Sequence, residues 1–248
     1  MTGRPEYSGS FLDKIVEGLL VLLPPAALLG PWAGSGRVFG YRILVVLLVG
    51  CAVTGWIYPI WVRRFSRAAC AIVVVAVAWA VTGVVGAMRL GPRRDLSSLM
   101  GAGLALAGAW SVARLISDRH IRRERALRDV AIGWAVAVWV GAPLAVWEIL
   151  TARHLGTYAD GAWRNHPGLY RQPATWLTNP NLYAVFLAVG SVWVGVVGVR
   201  SATRWVRIAA IATAVTGLGL LLATDSRIVY AALLLAVMVR LWAVRRWR

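Results

Sequence analysis

Acidic side chains are scarce in this chain. Its 248 residues hold 10 Asp and Glu against 27 Lys and Arg, a formal net charge of +17. Only Lys14 is a lysine; the other basic residues are arginines, set among abundant Ala, Val and Gly. GC-rich coding yields the same bias, so arginine content alone points to no chemistry. Paired acids within apolar runs, the usual means of coupling ions, are missing. Glu148 is the one acid near an apolar run that can be drawn inward, which counts against a proton-coupled transporter. Cysteine is equally sparse. Cys51 and Cys70 both lie inside apolar runs, which excludes a disulfide framework and a thiolate metal site. The three histidines have no zinc-type spacing, and neither a phosphate-cradling glycine loop nor a nucleophile elbow is present. No cleavable signal peptide is expected: Asp13, Lys14 and Glu17 precede an apolar stretch that is too long and too proline-rich. No soluble domain, linker or internal repeat stands out.

What remains is hydrophobic. Apolar residues make up 59% of the chain. Several uncharged runs approach the roughly 20 residues that span a bilayer as helix. In lipid, only helices and closed barrels satisfy their own backbone, and these runs do not alternate as barrel strands do. The expected fold is therefore all-α: a polytopic membrane bundle of about eight helices. A polar tail is expected over residues 1–17 and a transmembrane domain over 18–248. The spans are read at about 18–33, kinked by Pro24-Pro25, then 43–61, 68–88, 96–113, 130–150, 179–199, 208–223 and 228–244. The small residues of GAGLALAG, from Gly101, suit a close helix approach.

Charge sets the orientation. The basic residues sit between apolar runs, as topology signals and anionic-lipid contacts do, rather than as a nucleic-acid surface. The densest cluster, residues 114–129, holds six arginines and reads as a cytoplasmic anchor loop. With that cluster inside, 18 basic residues fall inside and 9 outside, an N-in, C-in arrangement. Trp32, Trp61, Trp163, Trp176, Trp205 and Trp242 fall near the borders, whereas Trp79, Trp110, Trp134, Trp139 and Trp193 fall deeper, as packing residues.

The stretch from Arg171 to Ala184, RQPATWLTNPNLYA, organises the outer face. Thr178 or Asn179 can cap a helix whose first turn holds Pro180. The positive end of that helix and its free N–H groups then lie at the surface, below an arginine: an anion site. Two spans later, Thr224-Asp225-Ser226-Arg227 starts another helix on the same side. Asp225 or Ser226 can cap it. Arg227 sits in its first turn, where a cation opposes the dipole and invites an anionic partner. Glu148, at the outer end of the fifth span, is either a ligand contact or the ion-pair partner of Arg171 or Arg227. Asn179 and Asn181 either orient phosphate or sugar hydroxyls or cap their helix. His154 and His166 read as solvated loop histidines, and His120 as part of the inner charge cluster.

Together these segments resemble a known family. WEILTARHLGTY from Trp147, RQPATWLTNPNLYAVFL from Arg171 and LLLATDSRIVYAALLLAV from Leu220 look like the O-antigen ligase and polymerase family of bacterial envelope glycosyltransferases. The likeness covers about residues 130–239. It implies a GT-C-type fold in the bacterial plasma membrane, with residues 151–178 as an extracytoplasmic loop. It also implies transfer of a glycan from an undecaprenyl-diphosphate carrier to an acceptor hydroxyl on a glycan or lipid, without a metal or other cofactor. Arg171 and Arg227 match the arginines that bind and neutralise the diphosphate, with Glu148, Asn179, Asn181 and Ser226 as substrate contacts. The family continues past the Ser-Arg helix into a loop with a catalytic histidine. This chain ends at Arg248, and His154 and His166 precede the motif, so the family's C-terminal part is expected to be missing and no general base is assigned. The alternatives are a non-catalytic membrane subunit of envelope polysaccharide assembly and a small-solute transporter.

Overall fold

The computed structural model describes residues 11–29, 34–35, 38–57, 103, 106–112, 123–154, 171–177 and 180–246. The chain is mostly helical. Helix α1 runs Phe11–Leu29, and the two-residue strands β1 (Gly34–Ser35) and β2 (Val38–Phe39) precede α2, Gly40–Ile57. After a helical stretch at 106–112 come α3, Arg123–Thr151, and a short 3-10 helix, Thr175–Leu177. The last three helices are α4 (Pro180–Val199), α5 (Arg204–Ala223) and α6 (Arg227–Arg246).

Three of these helices are long and apolar enough to cross a bilayer, over Glu124–Thr151, Pro180–Val199 and Arg204–Ala223. A shorter apolar helix covers Gly40–Val53. The chain is thus a helical membrane protein. The expected third span lies outside the described residues, as does most of the fourth.

Helix ends differ from the sequence reading where charge was taken as the limit. α1 begins at Phe11, within the stretch read as a tail, and Pro24 and Pro25 lie inside it. α3 begins at Arg123, inside the arginine cluster read as a loop. α5 begins at Arg204, four residues before the apolar run. The physical reason is the same each time. Arginine and glutamate are good helix formers, so a charge cluster marks a membrane border and leaves the helix free to run on into water.

The chain divides into two compact units, residues 1–23 with 36–130, and residues 24–35 with 131–248. In the first, Arg125 approaches Glu17 at 3.8 Å. A Cβ added at Gly108 would meet Val45 of α2 at 3.1 Å, which fits the small-residue reading of that run. In the second, Val138, Tyr183, Leu187, Leu220 and Val229 centre one core cluster, and Ala131, Val194 and Ala210 form a smaller one. Trp134 packs at a tilt against Phe186 with ring centroids 4.5 Å apart, and Trp193 packs on the smaller cluster, as expected of deep tryptophans. Trp205 is 76% exposed at the start of α5, a border position.

α4 and α5 form the tightest pair. Gly198 lies directly against Ala210, and Gly217 against the Ser191 hydroxyl, so a β-carbon at either glycine would collide. Lipid gives no hydrophobic drive between helices. Close backbone approach through small residues, with the dispersion contacts it brings, holds such a pair instead. α3 joins α5 through a polar tie: Trp139 donates from Nε1 to Thr213 Oγ1 at 2.9 Å, and Thr213 donates to the Ala209 carbonyl at 2.8 Å.

Candidate functional site

The site is built where α3 ends and where α4 and α6 begin. α3 closes with the Ala152 N–H on the Glu148 carbonyl at 2.9 Å. Ala152 then takes a left-handed conformation, φ 54°. That bend turns the chain back, and His154 Nδ1 comes to lie 3.3 Å from Glu148 Oε1. Both side chains are buried, His154 with 7% of its surface exposed and Glu148 with none.

The other carboxylate oxygen of Glu148 anchors the segment that carries Arg171. Oε2 accepts the backbone N–H of Ala174 at 2.8 Å and of Thr175 at 2.9 Å. These are the first amides of the 3-10 helix, which closes with the Leu177 N–H on the Ala174 carbonyl at 3.1 Å. A carboxylate placed here satisfies orphan donors and sits at the positive end of the turn. It also holds Thr175 at φ 53°, an unfavourable conformation for a β-branched residue. Trp176 and Leu177 then pack on the core cluster around Tyr183.

The starts of α4 and α6 are joined directly. Ser226 Oγ donates to Asn181 Oδ1 at 2.8 Å. The turn between α5 and α6 is tight: Thr224 N–H and Asp225 N–H return to the carbonyls of Leu221 and Leu222, and Asp225 is left-handed at φ 51°. Asp tolerates that region better than most residues. The Ser226 carbonyl accepts from the N–H groups of Val229 and Tyr230, so Ser226 occupies the capping position by backbone. Its side chain, however, serves the neighbouring helix. Tyr230 locks the turn, its hydroxyl donating to the Leu222 carbonyl at 2.9 Å.

The residues expected from sequence are therefore placed as follows. Asn181 and Ser226 meet. Glu148 meets the 171–177 segment through backbone amides. Arg171 and Arg227 are both exposed, Arg227 in the first turn of α6. Asn179, Thr178 and His166 lie outside the described residues. Two expectations need correction. The side chain that faces the Glu148 carboxylate is the His154 imidazole, neither Arg171 nor Arg227, because the 171–177 segment turns its amides toward the carboxylate and leaves Arg171 outward. The His154 side chain, 7% exposed, is accordingly not a solvated loop histidine. Sequence reasoning also missed Thr175 and Tyr183, both almost fully buried, Thr175 with its N–H on Glu148. The one available signal was Tyr183 itself, a hydroxyl in an apolar run one turn into a helix. Among the described residues no group of His, Cys, Asp and Glu is arranged to hold a metal ion.

Chemically, this end of the bundle offers two outward guanidinium groups, two helix starts and a rigid seat beneath one of the arginines. Such a surface suits an anionic ligand, since guanidinium groups pair with phosphate in bidentate fashion. No protein-family model, no curated protein and no solved structure matches the chain.

Proposed function

We propose that this chain is an O-antigen-ligase-like membrane glycosyltransferase acting on an isoprenoid-diphosphate-linked glycan at the extracytoplasmic face of the bacterial plasma membrane. In this reading the bundle has eight spans, with both termini inside, and a GT-C-type arrangement. Arg171 and Arg227 bind the diphosphate, and Asn181 and Ser226 hold the two helix starts beneath it. The acceptor hydroxyl oxygen bonds to the anomeric carbon as the bond from that carbon to the diphosphate oxygen breaks, and the hydroxyl proton leaves to solvent. The departing diphosphate gains negative charge, and fixed guanidinium groups with two helix N-termini stabilise it without a metal. Glu148 serves this site from beneath, by holding the Arg171 segment in place.

The observation that supports the reading best is the Asn181–Ser226 hydrogen bond. It puts the start of α6, with Arg227 next in sequence, beside the first turn of the helix that Arg171 precedes. The test is binding of undecaprenyl diphosphate to the wild type, Arg171→Ala and Arg227→Ala. Each substitution removes charge-assisted bonds of about 1.5–3 kcal/mol, so Kd rises by about tenfold or more in each. Unchanged binding in both variants rejects the assignment.

A further inference from the structure

Three polar atoms at the site are buried without a hydrogen-bond partner among the described residues: Glu148 Oε1, Thr175 Oγ1 and the Tyr183 hydroxyl. The three residues are no more than 1% exposed. Thr175 gives its N–H to Glu148, and the residues that follow it, Trp176 and Leu177, pack on the cluster that holds Tyr183. The Tyr183 hydroxyl rests against Gly141, where a Cβ would stand 3.3 Å away, and Gly141 precedes Glu148 by two turns on the same face of α3. His154 Nδ1 lies near Glu148 Oε1 at an ion-pair distance but without the alignment of a hydrogen bond. Leaving three such atoms unsatisfied in a protein interior carries a heavy desolvation cost.

The chemistry of the three atoms selects what meets them. Thr and Tyr hydroxyls each donate and accept, whereas a carboxylate oxygen only accepts. A metal cation would satisfy the oxygens alone, and the Glu148 carboxylate already faces two amide donors and an imidazole. Water both donates and accepts, and buried waters in proteins typically bond about three polar groups. We infer that Glu148, Thr175 and Tyr183 enclose a bound-water site, one molecule or a short chain, that joins the end of α3, the 171–177 segment and the first turn of α4. This site is independent of any transferase activity.

The test is thermal unfolding of the detergent-solubilised protein as wild type, Tyr183→Phe, Thr175→Val and the double variant. Both substitutions keep shape and delete only a hydroxyl. If each hydroxyl holds shared water, both single variants lose midpoint temperature, by about 2–4 °C. The double variant then loses less than the sum, because the first deletion has already released the water. Deleting a hydroxyl that truly has no partner is neutral or stabilising. A midpoint that holds or rises in either single variant therefore overturns the site, and so does strict additivity. A higher midpoint in sodium chloride than in choline chloride at equal ionic strength overturns it too, in favour of a cation.

Discussion

Ser226 reaches across 45 residues of sequence to donate its hydroxyl to Asn181 Oδ1 at 2.8 Å, and so binds the start of α6 to the first turn of α4. Ser226 is almost fully buried, whereas Asn181 is exposed. The bond lies at the edge of the bundle, one residue from the Arg227 guanidinium. Ser226→Ala is expected to lower unfolding stability by about 1 kcal/mol, the usual worth of one neutral hydrogen bond. It is also expected to weaken lipid-diphosphate binding, since Arg227 loses its fixed register against α4. Parallel denaturant titration and ligand binding measure both. A variant that loses stability but binds normally shows that the bond serves the fold alone.

Glu148 carries a different load. Its Oε2 serves two backbone amides at once, so Glu148→Ala strands both N–H groups in a buried setting. At about 1–3 kcal/mol for each, the expected loss is about 3 kcal/mol. Glu148→Gln keeps one acceptor oxygen and loses less. Hydrogen–deuterium exchange at Ala174 and Thr175 reads this directly. Both amides are slow in the wild type, fast in Glu148→Ala and intermediate in Glu148→Gln. Equal protection in all three contradicts the anchoring role.

The polar tie between α3 and α5 is open to a double-mutant cycle. Trp139→Phe deletes the donor and Thr213→Val the acceptor of the 2.9 Å bond. Interhelical hydrogen bonds within membranes contribute about 0.6 kcal/mol on average, with about 1.7 kcal/mol as the upper range. A coupling energy in that range is expected from unfolding in mixed micelles. A value indistinguishable from zero assigns Trp139 to packing alone.

How far the sequence could be read depended on whether a feature was local. The start of α4 was legible because Asn-Pro-Asn combines a capping residue with a proline suited to a first turn. The turn before α6 was legible from Thr-Asp-Ser for similar reasons. Longer-range pairings were not. Nothing in Ala152 signals the left-handed bend that returns His154 to Glu148, since alanine carries no turn preference of its own. Sequence arithmetic sets a lone acid against exposed arginines and so offers Arg171 or Arg227 as one alternative partner for Glu148. The structure instead satisfies the carboxylate with backbone amides, a partner no pattern of side chains reveals. Asp225 or Ser226 can cap this helix by sequence, yet of Ser226 only the carbonyl caps, because Asn181 offers the hydroxyl a partner on another helix.

The contrast between two glycines tests the packing of α4 on α5. At Gly198, an added β-carbon would overlap the β-carbon of Ala210, which has no rotamer to escape into, so the helices must part. The connection from Val199 to Arg204 is too short to absorb the shift freely. Gly198→Ala is therefore expected to destabilise by about 1–3 kcal/mol, as overpacking does. At Gly219 of α5 nothing lies within 4 Å of the added carbon. There alanine only improves helix propensity, and Gly219→Ala is expected to stabilise by up to about 1 kcal/mol. Unfolding midpoints of the two variants should thus move in opposite directions. The pair Gly198→Ala with Ala210→Gly exchanges the methyl group between the helices. It is expected to recover most of the loss, because the space at the crossing accepts one β-carbon and excludes a second. If Gly198→Ala unfolds at the wild-type midpoint, the two helices do not approach through this contact.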